Sequence, residues 1–253
     1  MLDKEMGNKG PTILHNFIRG LRDIVYPKIC LICKGKITAN SIDELVCLEC
    51  WGKIKKNVPP FCRRCGRQLK NGKLSKNICP DCIKRQSHFD RAFSPCLYDG
   101  VIKELIHEFK YKGKDYLGFS LSKLMVEFIK EYELPMGLID WVVPVPLHQA
   151  RMREREFNQA EVLSSYIASE FNKKLSQNNL IRHRQTKAQT DLESDARLDN
   201  VKGSFSVKEK EIIKGKNLLL VDDVLTTGAT SSEAACVLKD AGANIVFVLT
   251  LAN

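Results

Sequence analysis

Eight of the ten cysteines fall into four Cys-x-x-Cys pairs: Cys30/Cys33, Cys47/Cys50, Cys62/Cys65 and Cys79/Cys82. Shifting the first four positions by 32 gives the second four, so a segment is duplicated with the same 13-residue gap between its pairs. Two thiolates three residues apart on a tight turn reach one tetrahedral cation at about 2.3 Å, and two such turns close its shell. The sequence therefore reads as two zinc ribbons, one on Cys30, Cys33, Cys47 and Cys50, the other on Cys62, Cys65, Cys79 and Cys82. Four-cysteine shells leave no open position, so the two Zn2+ ions read as structural and not catalytic. Gly35 and Gly66 follow the second cysteine of a pair, where a turn calls for positive φ. Disulfides would need an oxidising compartment. Spacing alone does not separate zinc from iron–sulfur ligation, and an interleaved pairing of the four turns stays open here.

The charge follows the cysteines. Of 40 Lys+Arg and 30 Asp+Glu in 253 residues, 18 and 8 fall in residues 1–90, which leaves 22 of each in residues 91–253. Binding two Zn2+ as thiolates lowers the local excess to about +6. Both shifts put a boundary near residues 83–92. Residues 12–25 read as an amphipathic packing helix, with Ile13, Leu14, Phe17, Ile18, Leu21 and Ile24 at helical spacing. The expected organisation is residues 1–28 around that helix, 29–90 as the duplicated ribbon, and 91–253 as a larger domain. No apolar run approaches the ~18 residues of a membrane span, and charges interrupt the N-terminus before a signal-peptide pattern develops, so a cytoplasmic chain is expected.

From residue 91 the pattern alternates. Arg91–Tyr98, Trp141–Val145, Asn217–Val221 and Ile245–Leu251 read as strands; Ile102–Lys110, Tyr116–Tyr132, Asn158–Phe171 and Ser231–Asp240 read as helices. Such alternation calls for an α/β fold with a parallel sheet, whose ligands bind beyond the carboxyl ends of the strands. The most informative stretch is Leu218 to Thr230. An apolar strand runs into Asp222 and Asp223, then into a Thr/Gly loop, then into a helix. The helix start offers unpaired N–H groups, Gly228 admits close approach of an anion, and Thr226, Thr227 and Thr230 add hydroxyls. This is a phosphate cradle without the lysine of a nucleotide P-loop or the G-x-G-x-x-G spacing. Carboxylates beside it suit a vicinal diol, and phosphate, diol and acids together describe a ribose 5-phosphate.

This stretch resembles the phosphoribosyl pyrophosphate (PRPP) loop of type I phosphoribosyltransferases, and the wider chain resembles the ComF (ComFC) family of competence proteins. The residues that carry the resemblance are the four cysteine pairs, Pro144 to His148, Arg151/Arg153/Arg155 before Phe157-Asn158-Gln159-Ala160, Arg182 and Arg184 with Thr186, Gln189, Leu192, Arg197 and Asn200, and residues 222–230. The resemblance implies a parallel sheet of phosphoribosyltransferase kind with Asp222 and Asp223 on the ribose hydroxyls. It puts Thr226, Thr227, Gly228, Ala229 and Thr230 on the 5′-phosphate, and Arg151, Arg153 and Arg155 on the pyrophosphate. Guanidinium forks suit that last role. Mg2+ would ride mainly on ligand oxygens. Glu156 departs from the pattern, which has glycine before the phenylalanine.

Two functions follow. In the first, favoured by the resemblance, the chain is a DNA-uptake factor of natural transformation. It binds PRPP, contacts single-stranded DNA and works with other DNA-uptake proteins. The basic ribbon (Lys53, Lys55, Lys56, Arg63, Arg64, Arg67, Lys70, Lys73, Lys76) would attract phosphates, with Trp51 and Phe61 as stacking residues. In the second, the chain is a phosphoribosyltransferase acting on an acceptor the sequence does not reveal. Purine-salvage relatives have an acid where this chain has Thr226, so no base for a purine nitrogen is present. The segment Tyr98–Tyr111 shows no matched polar constellation for an acceptor. Cys96 and Cys236 read as small buried hydrophobes, and His148 as a structural hydrogen-bonding residue.

Overall fold

The computed structural model describes residues 27–37, 43–69, 77–111, 113–184 and 201–253. The helix expected over 12–25 lies outside them, as do Lys70, Lys73, Lys76, Thr186, Gln189, Leu192, Arg197 and Asn200. Two compact units part at residues 53/54, whereas composition parts near residues 83–92. The second cysteine cluster thus shares a unit with the sheet, and the first lies in the other unit.

In chain order the described elements are α1 (Leu48–Gly52), α2 (Pro80–Lys84), β1 (Arg91–Phe93), α3 (Gly100–Tyr111), α4 (Leu117–Glu131), β2 (Trp141–Pro144), α5 (Gln149–Arg155), α6 (Gln159–Glu170), β3 (Lys174–Leu175), β4 (Leu180–Arg182), β5 (Phe205–Val207), α7 (Lys210–Ile213), β6 (Asn217–Val224), α8 (Ala229–Asp240) and β7 (Ile245–Ala252). Five strands form one parallel sheet in the order β1-β7-β6-β2-β3. The α/β class expected from the alternation is what the chain adopts. β6 is central because Leu218, Leu219, Leu220 and Val221 are all buried, and a strand covered on both faces must be apolar throughout. β4 and β5 form a separate antiparallel hairpin. The strand expected over Arg91–Tyr98 stops at Phe93; beyond it the chain keeps to the edge of β7 by the Ser94–Thr250 hydroxyl contact, an isolated bridge from Cys96 to Ala252 and the Tyr98 N–H bond to the Asn253 carbonyl.

The duplicated sequence folds twice in the same way. Each first cysteine accepts an amide from the third: Cys47 N–H donates to Cys30 Sγ at 3.4 Å, and Cys79 N–H to Cys62 Sγ at 3.3 Å. α1 and α2 occupy equivalent positions. The positive-φ residue of the turn is Gly66 in the second copy (φ 71°) and Lys34 in the first (φ 60°). Gly35 does not take that conformation, so the reading of Gly35 as the turn glycine is corrected. Its partner by the 32-residue shift is Arg67, and Lys34 is the partner of Gly66.

Trp51 is buried, and Phe61 packs edge-on against Phe128 and Tyr132 at centroid distances of 5.9 and 5.2 Å. Trp51 therefore presents no face for stacking a base, and Phe61 is half-buried. Cys96 is buried and its thiol is pushed up to about 12 by desolvation, as suits a small apolar filler; Cys236 is only half-buried. Among the described residues no helix is long and apolar enough to cross a membrane.

Candidate functional site: two cysteine clusters and a cationic cleft

The ligand atoms of Cys30, Cys33, Cys47 and Cys50 lie within 4.8 Å of one another, and so do those of Cys62, Cys65, Cys79 and Cys82. Pairing is therefore within each copy, and the interleaved alternative is excluded. The Cys33–Cys47 and Cys65–Cys79 sulfurs are both 3.7 Å apart. That is far beyond a disulfide and close to the ~3.8 Å edge of a tetrahedron with ~2.3 Å metal–sulfur bonds. Both clusters fit structural zinc.

The second cluster is fastened to the sheet. Ala92 N–H donates to the Arg64 carbonyl at 2.8 Å, and Asn57 Nδ2 donates to the carbonyls of both Gly66 and Ser94, each at 2.8 Å. Arg67 pairs with Asp81 at 2.9 Å and reaches the Thr226 carbonyl at 3.3 Å.

At the carboxyl end of β6 a cleft of about 360 Å³ opens. Its floor is Asp222 and Asp223. The chain then bends through Thr226 and Thr227 to Gly228, whose φ of 78° sets it as the N-cap of α8. The first amides of α8 have no partner within the helix, and Thr226, Gly228, Ala229 and Thr230 line the cleft. Thr227 does not; it lines a neighbouring hollow beside the second ribbon, and its Oγ1 accepts from Ala229 N–H at 3.4 Å.

The arginines divide by helical geometry. Residues 149–155 form a helix, so Arg151 and Arg155, four apart, share the face that lines the cleft, while Arg153 is exposed on another side. Arg155 is buried, with its guanidinium 5.1 Å from the Tyr111 ring centre and 3.2 Å from Gln159 Oε1. Asn158 and Gln159 explain the motif around them. Asn158 caps α6 through Ala160 N–H and donates to the Val145 carbonyl; Gln159 Nε2 donates to the Phe109 carbonyl. The segment ties α3, the end of β2 and Arg155 together. His148 Nδ1 accepts from Ala150 N–H at 3.2 Å, a structural bond.

Glu156 ends α5 at φ 68°, the left-handed conformation that glycine adopts without cost. That is the backbone reason for glycine in the family pattern. Its carboxylate is turned toward Gly113, where a Cβ would lie 3.1 Å from Glu156 Oε2, and it does not line the cleft. Glu156→Gly is expected to stabilise the chain by about 1 kcal/mol, read as a raised thermal midpoint.

Four cleft residues escaped sequence reasoning: Arg182, Lys110, Lys103 and Tyr111. Arg182, noted only for the resemblance, is buried at the end of β4. Burial and the nearby Arg151 and Arg155 bring its guanidinium down to about 10, against the pull of Asp222, so it stays charged at neutral pH. Lys110 pairs with Asp223 at 2.8 Å. Five cations (Lys103, Lys110, Arg151, Arg155, Arg182) thus face two carboxylates. Such crowding opposes folding unless an anion joins it. Burial, then the charge of Asp223, pushes Asp222 up to about 7. The folded chain therefore holds more protons than the unfolded one between about pH 4 and pH 7, and stability is expected to fall as pH rises through that window. Asp222→Asn should flatten the decline, measured by denaturant unfolding at a series of pH values.

Residues 21–83 match the double zinc ribbon domain family. Competence protein F of Haemophilus influenzae (strain ATCC 51907 / DSM 11121 / KW20 / Rd) is 28% identical over 227 residues, covering 88% of this chain and 96% of that protein. This chain is a relative of the ComF competence proteins. DNA utilization protein YhgH of Escherichia coli (strain K12) is 26% identical over 230 residues, covering 90% and 98%. Among solved structures, glutamine PRPP amidotransferase from B. subtilis complexed with ADP and GMP aligns with a TM-score of 0.35 at 20% identity, over 57% of this chain; the chain spans 30% of that enzyme's length.

Proposed function

We propose that the cleft binds PRPP with Mg2+ and that the chain is a cytoplasmic DNA-uptake factor that handles single-stranded DNA. One observation carries the ligand assignment: five cations and a carboxylate doublet meet at the carboxyl end of the central strand, beside a glycine-capped helix start. A ribose with phosphoryl groups at both ends fits that division of charge. The 5′-phosphate takes the amides from Thr226 to Thr230, the 2′- and 3′-hydroxyls donate to Asp222 and Asp223, and the pyrophosphate takes Arg151, Arg155 and Arg182. Mg2+, bound to ligand oxygens with several waters, would supply charge neutralisation at the pyrophosphate. The DNA role rests on the names of the relatives, competence and DNA utilization. Arg153 and Thr227, outside the cleft lining, are proposed only as outer contributors.

Pyrophosphate release from PRPP and Mg2+, measured with a panel of acceptors alongside calorimetric titration, tests the assignment. Saturable binding without release is the expected result. Release with one acceptor would make the chain a phosphoribosyltransferase, and absence of binding would remove the ligand assignment.

A further inference from the structure

We infer that single-stranded DNA lies along the cleft-facing edge of α3, at the mouth of the sugar-phosphate cleft, and not on the ribbons; the inference rests on the DNA reading above. One edge of α3 lines the cleft. Lys103, Lys110 and Tyr111 line it, and His107 lies between Lys103 and Tyr111, four residues from each, against the Tyr111 ring. Glu104 and Glu108 continue the same exposed arc beyond Tyr111, and Glu108 is paired with Lys114 at 2.6 Å. The part of the helix that lines the cleft is Lys103, Lys110 and Tyr111, two cations and an aromatic ring.

Three features favour a strand over a small anion. Tyr111 is 48% exposed, with His107 4.8 Å away and the Arg155 guanidinium 5.1 Å away, an aromatic face backed by charge. A base stacks on such a face whatever its identity. From Lys103 to Tyr111 the helix rises about 12 Å, longer than one sugar-phosphate unit. The ribbons, meanwhile, have little to offer. Arg64 donates to the Cys82 carbonyl, Arg67 pairs with Asp81, Lys55 with Asp99 and Lys53 with Glu49, while Trp51 is buried and the half-buried Phe61 is engaged by Phe128 and Tyr132. Lys53, Lys55 and Arg67 are thus matched by carboxylates, and Arg64 is spent on a carbonyl.

Fluorescence anisotropy of a labelled 12-nucleotide oligo(dT) across a salt series, with the full zinc-loaded chain, tests the surface. Tyr111→Ala should weaken binding about fivefold or more, and Tyr111→Phe should restore it. Lys103→Gln should lower the slope of log affinity against log salt by about 0.7. Zinc content and the thermal midpoint report whether each variant is folded. If Lys56→Gln and Arg63→Gln weaken binding while the α3 variants bind as the parent does, the surface assignment is overturned and the DNA reading stands. If the parent chain binds no oligo(dT) at all, both fail.

Discussion

Asp222→Ala/Asp223→Ala is expected to lower the affinity for PRPP by at least about 100-fold while leaving the zinc content unchanged. Asp223, and Asp222 once its proton is lost, offer charged acceptors to the ribose hydroxyls, and a hydrogen bond to a charged group contributes about 1.5–3 kcal/mol. The pair sits where β6 leaves the sheet, with Asp223 N–H donating to Asp222 Oδ1 at 2.9 Å, so the doublet is held in place by its own backbone. Removing it also frees Lys110 from Asp223, which adds positive charge and should spare or strengthen binding of inorganic pyrophosphate. Isothermal titration with PRPP and with pyrophosphate separates the two effects. Equal PRPP affinity in parent and variant would remove the ribose assignment.

Gly66→Ala should be the most damaging single methyl in the described structure. A Cβ there would lie 2.3 Å from the Ala92 carbonyl oxygen and 3.1 Å from Phe93 Cα, both backbone atoms of β1. No side chain can rotate away to relieve that overlap. The left-handed φ of 71° costs alanine about a further 1 kcal/mol. Moving the turn off β1 would break the Ala92–Arg64 and Asn57–Gly66 hydrogen bonds, about 1 kcal/mol each. The expected loss is about 3 kcal/mol or more, seen as a thermal midpoint lower by roughly 6–12 °C. Gly35→Ala, which meets only Cys33 Sγ at 3.4 Å, should be near neutral and is the internal control.

The contrast between those two glycines marks where the sequence speaks and where it is silent. Cysteine spacing is a local constraint tied to metal geometry, so both clusters were legible before any coordinates. So was β6: four apolar residues, two acids and a glycine-led bend record burial, sheet edge and anion site in order. What failed to show was anything set by approach in space. Gly66 matters because β1 lies against it, which no neighbouring residue announces. Lys110 reads as an ordinary cation near a helix C-terminus until α3 brings it to Asp223. Arg182 ends a strand of three residues, too short for any periodicity, on a hairpin apart from the main sheet. The resemblance gives Arg151, Arg153 and Arg155 one shared role; a helix over Gln149–Arg155 turns only two of the three to the cleft. Trp51 reads as available because a ribbon sequence alone cannot say what covers it.

A crystal structure of the zinc-loaded chain with PRPP and Mg2+ tests the central claim most directly. The account requires the 5′-phosphate on the amides of residues 226–230, the ribose hydroxyls within hydrogen-bond distance of Asp222 and Asp223, and Lys110 displaced from Asp223 or shared with the pyrophosphate. Ligand density elsewhere, with the Lys110–Asp223 pair intact and the bend bare, would contradict it.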